Sequence, residues 1–348
     1  MTGRKSFDSY SLCPTTWGLL SETFARRLRL TQSIEKCNNL SIQGMKKLTV
    51  GTRGSALALH QTNWVVGELR ARSPDLCVDV RTIKTKGDKI LDVPLAKIGD
   101  KGLFVKELEA ALLNGEIDFA VHSAKDLPTG IPDGLCIAAF PERVDPSDVL
   151  ISNGPGLADL PGGARIGSSS LRRRAQLLNF RADLDICDLR GNLDTRLRKL
   201  ERGEFDAIVL AYAGLHRMGW ADRITEKIPI EICLPAVGQG ALAIEARQDD
   251  EVIAILQALD HADTRSAVTA ERSLMRALEG GCQVPIGALG TVEGGKLVLQ
   301  AVVASLDGRK LSMGDVSGDD PEAVGKRLAE ILLSAGAREI LDTLRTQG

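Results

Sequence analysis

The sequence predicts an α/β protein made of two similar blocks, followed by a small α+β domain. Strand and helix patterns alternate from Lys47 to Phe140, the order that lays helices on a largely parallel sheet. The plan starts again at Ala164 and runs to Ala211. From about Thr264 the order changes to a helix, a run of strands and a last helix. A chain of 348 residues is long enough for two or three such cores.

In the first block, Lys47–Gly51 is an apolar strand. Thr52-Arg-Gly-Ser55 leads into a helix over about 55–72, whose apolar Leu59, Trp64 and Leu69 fit a helical stripe only loosely. Val78–Thr85 alternates as a strand does, and Leu103–Leu113 carries helical spacing. Phe119–His122 and Leu135–Phe140 are short buried strands. In the second block Ala164–Gly167 is a strand. Ser168-Ser-Ser-Leu-Arg-Arg-Arg174 opens a helix to about Phe180, Leu184–Leu189 is a strand, Leu193–Arg202 a helix and Ala207–Ala211 a strand. The third block is expected to hold a helix over about 264–278 and strands near 286–292, 296–305 and 309–316. A single helix is expected from Pro321 to about Leu344.

Bulk composition excludes several classes. Charged residues make up 26% of the chain, net charge is -2, and aromatics are only 3%. No global attraction to nucleic acid or to a membrane follows. No apolar run is long enough to span a bilayer. Seven cysteines, an odd count with no Cys-x-x-Cys pair, suggest neither a disulfide framework nor a zinc site and suit a reducing cytosol. The four histidines show no metal-ligand spacing. Residues 1–44 are basic and rich in Ser, Thr and Asn. They are expected to be an extension without fixed structure ahead of a natural start at Met45. An organellar import segment is the alternative.

Two strand-to-helix junctions match. Val50-Gly-Thr-Arg-Gly-Ser55 and Ile166-Gly-Ser-Ser-Ser-Leu-Arg172 each join a strand, a glycine turn, hydroxyl residues and a helix start carrying arginine. Helix N-termini offer free N–H groups and a favourable dipole to anions, although Ser and Thr often only cap helices. Two such junctions suggest a two-lobed cleft for an acidic ligand. Basic residues gather at these loops, among them Arg53, Lys101, Lys125, Arg172, Arg173, Arg190 and Arg196, and arginine forks suit carboxylates. Arg172–Arg174 cannot all face one cleft from a helix.

Two groups stand out chemically. The strand ending at Ser123 delivers Lys125 and Asp126 beyond its carboxyl end, where open α/β sheets bind ligands. A carboxylate there can move protons or stabilise a developing cation; the plainer alternative is a turn aspartate. His122 is expected to pack inside. Cys282 sits in Glu279-Gly-Gly-Cys-Gln-Val-Pro285, where the two glycines end a helix and leave room beside the thiol. The plainer alternative is a buried structural cysteine.

Together these residues resemble the porphobilinogen deaminase family. The likeness rests on Thr52–Ala58, Lys101-Gly-Leu-Phe-Val-Lys-Glu-Leu108, His122-Ser-Ala-Lys-Asp126, Gly167-Ser-Ser-Ser-Leu-Arg-Arg173, Arg190-Gly-Asn-Leu-Asp-Thr-Arg196, Leu234-Pro-Ala-Val-Gly-Gln-Gly-Ala241 and the Cys282 loop. It covers about Lys47 to near the C-terminus and leaves out residues 1–44. The resemblance implies two α/β domains like periplasmic binding proteins, residues 45–142 with 240–260, and 143–239. A third α+β domain, 261–348, would carry the cofactor cysteine. It implies a monomeric, cytoplasmic transferase that condenses four porphobilinogen molecules head to tail into hydroxymethylbilane with loss of ammonia. The primer would be a dipyrromethane cofactor held by a thioether to Cys282. Asp126 matches the catalytic aspartate. Lys125, Ser170, Arg172 and Arg173 match cofactor-binding positions. Arg53, Ser55, Lys101, Ser123, Ser168, Arg190 and Arg196 match substrate-binding positions, with Lys101 in a flexible lid. Uroporphyrinogen-III synthase, the next enzyme, would be a transient partner. Ser168 stands where threonine is common and Ala124 where a bulkier residue is usual.

Two other classes predict different chemistry. A non-catalytic binder of an acidic solute needs neither the Cys282 loop nor a third domain. A nucleic-acid binder needs a basic excess and stacking aromatics, which the composition lacks.

Overall fold

The computed structural model describes residues 47–89, 102–248, 250–278 and 284–347. The expected extension 1–44, Lys101 and the loop of Gly280, Gly281 and Cys282 lie outside the described residues.

The first lobe is a five-stranded sheet. Strand β1 (Lys47–Thr52) pairs parallel with β2 (Cys77–Thr82) and with β3 (Phe119–Ser123). Helices α1 (Ala56–Arg72) and α2 (Lys106–Leu113) precede β2 and β3, and β4 (Leu135–Ala139) follows. The sheet is completed from far along the chain by β10 (Leu242–Arg247), antiparallel between β3 and β4. Leu48, Val50, Phe119 and Val121 pack on one face with Val65 and Leu69 of α1. Ala120 meets Leu108 and Leu112 of α2 on the other.

The second lobe repeats this arrangement. Its elements are β5 (Asp148–Ser152), β6 (Arg165–Gly167), α3 (Leu171–Phe180), β7 (Asp185–Cys187), α4 (Leu193–Glu201), β8 (Ala207–Ala211), α5 (Tyr212–Arg217) and β9 (Glu226–Lys227). The strand order is β7-β6-β8-β5-β9, with β5 antiparallel to both neighbours. The two-residue period of strands is visible in the burial. Val149, Ile151, Ile208 and Leu210 enter one core, while Leu150, Ala207 and Val209 enter the other.

After α6 (Asp250–Gln257) and α7 (Ala262–Ala277), the strands β11 (Ile286–Glu293), β12 (Lys296–Ala304) and β13 (Leu311–Gly318) form an antiparallel meander. Helix α8 (Pro321–Leu332) packs with α7 over it through Leu274, Leu299, Val303 and Leu328. The single last helix expected from the sequence is broken. Gly336 has φ 101°, which ends α8 before α9 (Arg338–Gln347) begins.

Two segments cross between the lobes, one leading to β5 and one returning to β10. They are tied to each other where Val144 N donates to Gly240 O at 3.3 Å. A Cβ on Gly240 would lie 2.3 Å from Val144 O, and its φ is +88°, so only glycine permits this approach.

Candidate functional site

The turn that carries the candidate carboxylate is built by the end of β3. Ala124–Asp126 form one tight helical turn, closed by Leu127 N donating to Ala124 O at 3.3 Å. Ser123 is fixed from α1, where Gln61 Nε2 donates to its Oγ at 3.1 Å. Burial pushes the Lys125 ammonium down to about 8; Asp126 opposes that shift and Arg173 adds to it. Asp126 and Lys125 are half-buried.

From the second lobe, Ser170 caps α3 by accepting from Arg173 N at 3.4 Å, and Ser168 is buried just before it. Arg172 and Arg173 do not stand open as a carboxylate fork here. Both converge on Asp148, the first residue of β5. Arg172 Nη1 lies 2.7 Å from Oδ2, and Arg173 Nη2 lies 2.7 Å from Oδ1. Arg172 also donates to Leu234 O at 2.5 Å and Arg173 to Val209 O at 2.8 Å. Burial alone would raise the Asp148 carboxyl, but the two guanidinium groups outweigh it and hold the acid well below its usual range. Arg172 Nε is buried with no partner among the described residues.

Asp148 is the site residue that sequence reasoning missed. Its signal was present: an acidic residue opening the apolar run Val149–Ile151. The run is too short to distinguish strand from helix by period, and without the strand Asp148 reads as a loop charge.

Helix α4 brings the remaining cations. Asn192 caps it, accepting from Thr195 N at 2.9 Å, and Arg196 Nε donates to Gly191 O at 2.9 Å. The Arg196 guanidinium is pushed down to about 10, by burial first and then by Arg173 and Arg190, with Asp126 pulling the other way. Asp126 of the first lobe therefore shares a neighbourhood with Arg173, Arg190 and Arg196 of the second. Arg53 and Ser55 occupy the corresponding end of β1. Arg53 lies over the Phe104 ring at 4.1 Å from its centroid, and Ser55 caps α1 by accepting from Ala58 N at 3.3 Å. Lys101 and Cys282 lie outside the described residues.

A family model described as porphobilinogen deaminase, dipyromethane cofactor binding domain, matches residues 48–255, and the C-terminal domain model of the same family matches 266–334. The chain belongs to the porphobilinogen deaminase family. A porphobilinogen deaminase of Desulforudis audaxviator is 59% identical over 304 residues, covering 86% of this chain and 98% of the relative. One of Nostoc sp. is 54% identical over 306 residues, covering 86% and 95%. Among solved structures, the substrate-binding domain of a putative molybdenum transporter from Clostridium difficile aligns at TM-score 0.39 and 12% identity, over 65% of this chain and 96% of that one. The chain is a transferase of tetrapyrrole synthesis that condenses porphobilinogen into hydroxymethylbilane, with release of ammonia, on a dipyrromethane cofactor.

The residues present fit that cofactor. Each of its pyrroles carries carboxylates, and the cleft offers Lys125, Arg190 and Arg196, two helix starts and a buried Arg172 Nε without a partner among the described residues. Burial lowers Lys125 and Arg196, and Arg173 adds to both shifts, so an anionic ligand in the cleft would favour their charged forms.

Proposed function

We propose that Asp126 is the catalytic group of this porphobilinogen deaminase and that Cys282 anchors its cofactor. When bound, dipyrromethane supplies the terminal pyrrole carbon to which the first substrate is joined. Loss of ammonia from porphobilinogen leaves a methylene cation delocalised onto the pyrrole nitrogen of the substrate. The Asp126 carboxylate accepts that N–H and stabilises the positive charge. Lys125, Ser170, Arg172 and Arg173 hold cofactor carboxylates. Arg53, Ser55, Lys101, Ser123, Ser168, Arg190 and Arg196 hold those of the substrate and the growing chain. Arg172 and Arg173 engage a ligand from their places beside Asp148, which keeps the pair oriented. The observation that carries this reading is that Asp126 of the first lobe and Arg173 of the second act on the same cleft cations, Lys125 and Arg196.

Other features of the reading rest on the same likeness. Domain limits at 45–142 with 240–260, 143–239 and 261–348 accord with the return of β10 to the first sheet. The enzyme works as a monomer in the cytoplasm and passes its product to uroporphyrinogen-III synthase. Among the described residues no helix is long and apolar enough to cross a membrane.

Asp126→Asn tests the central role. The amide keeps the shape of the side chain without its charge. We expect folded, cofactor-bearing protein with turnover reduced on the order of 10²-fold or more. Near-normal turnover would remove Asp126 from the chemistry.

A further inference from the structure

We propose that Glu271, on α7 of the C-terminal domain, is a positioning residue that sets the alignment of the two lobes. Its side chain is fully buried, yet it touches neither Asp126 nor the cations around it. Its carboxylate gathers three separate segments. Arg143 of the first interlobe crossing donates from Nη1 at 2.5 Å and from Nη2 at 3.3 Å. Gly238 N of the returning crossing donates at 2.6 Å, and Gly290 N of β11 at 2.8 Å. Arg143 Nε reaches Gln239 O at 2.8 Å, and Gln239 Nε2 donates to Asp148 Oδ1 at 2.8 Å. One carboxylate thus joins both crossings to the third domain, and Arg143 and Gln239 link it by hydrogen bonds to the Asp148 that orients Arg172 and Arg173.

The consequence for the reaction follows from geometry. The proposed catalytic carboxylate belongs to one lobe and most of the cations facing it to the other, so their spacing is the hinge angle. Rotation at the crossings moves Arg143 against Gly238 and breaks bonds to a charge that water cannot reach, which is costly. The chain being synthesised gains carboxylates at each addition, so the cleft must be held at a defined width while its contents grow. Glu271 is the group that defines that width. This inference rests on the proposed roles of Asp126 and the cleft arginines.

The test is the length of the enzyme-bound chain, read by intact mass after brief exposure to limiting porphobilinogen. In Glu271→Gln the amide oxygen still accepts from one backbone N–H, but the charge facing Arg143 is gone. We expect the folded, cofactor-bearing fraction to accumulate partly grown chains at least threefold over wild type, with kcat lowered more than KM is raised. A purely structural role would lower the melting temperature and leave the chain-length distribution of the folded fraction unchanged. Arg143→Gln combined with Glu271→Gln removes the orphaned buried charge, so it should melt closer to wild type while keeping the shifted distribution. It supplies the same readout if the single variant does not fold. A wild-type distribution in the folded fraction overturns the proposal. Asp126→Asn run beside it separates the two ideas: undiminished addition there would reject the site reading, whereas lost addition there with a wild-type chain-length distribution in the Glu271 variants would reject the role of Glu271 alone.

Discussion

Lys125 shows how one residue in this cleft couples pH to ligand capture. Burial has brought its ammonium down to about 8, against the pull of neighbouring Asp126. The charged form exists below that pH and is lost as pH rises through it. The ligands are anionic, so charge on Lys125 favours binding. We therefore predict that kcat/KM falls as pH rises above about 8. Lys125→Arg, which stays protonated, should carry the plateau at least one pH unit further. An unchanged alkaline limb in that variant would show that another group sets it. Asp126, Lys125 and Arg196 were legible in the sequence because a strand end and a helix start announce where their side chains go. The engagement of Arg172 and Arg173 with Asp148 was not, because it depends on a contact between residues more than twenty positions apart in a strand that carries no clear period.

Elements tell the same story. Strands with β-branched or alternating residues, such as Lys47–Thr52 and Leu311–Gly318, were legible within a few residues. Strand β10 was not read as a strand. Its sequence Leu-Ala-Ile-Glu-Ala-Arg favours helix, and tertiary packing between β3 and β4 overrides that preference. The override places Glu245 in the interior, where its Oε2 lies 3.0 Å from His122 Nε2 and its Oε1 has no partner among the described residues. His122 was expected inside, and it is buried here. Glu109 of α2 faces the same pair, and its carboxyl is raised by burial and by Glu245, with His122 and Lys106 opposing. A carboxyl raised in the folded state binds its proton more tightly there than when unfolded. Its stabilising effect is full below the unfolded value and is lost as pH rises through the folded one. Glu109→Gln mimics the protonated form. We predict a higher melting temperature than wild type at pH 8, about 1–2 °C for each kcal/mol recovered in a chain of this size, with the gap closing at pH 4. A variant that melts below wild type at pH 8 would mean that the ionised carboxylate is the stabilising form.

At the scale of the molecule, the two repeated lobes and the third domain follow from order and period alone, and their assembly does not. The arrangement depends on polar contacts between distant segments. Examples are the buried Glu271 with Arg143, and the part-buried Asn179 Nδ2 of α3 donating at 2.9 Å to Gly308 O in the turn between β12 and β13. The proposed anchor, Cys282, falls between α7 and β11 in the sequence of that third domain. Three described thiols make poor alternatives: Cys136 and Cys187 are raised, chiefly by burial, and burial pushes Cys233 up to about 12. The most direct measurement is the intact mass of the purified protein followed by peptide mapping. The account predicts an excess equal to two linked pyrroles, located on the peptide that holds Cys282. That excess should be absent from Cys282→Ser and retained when Cys77, Cys136, Cys187 or Cys233 is changed to serine. Wild-type protein of unmodified mass that still converts porphobilinogen to hydroxymethylbilane would contradict it.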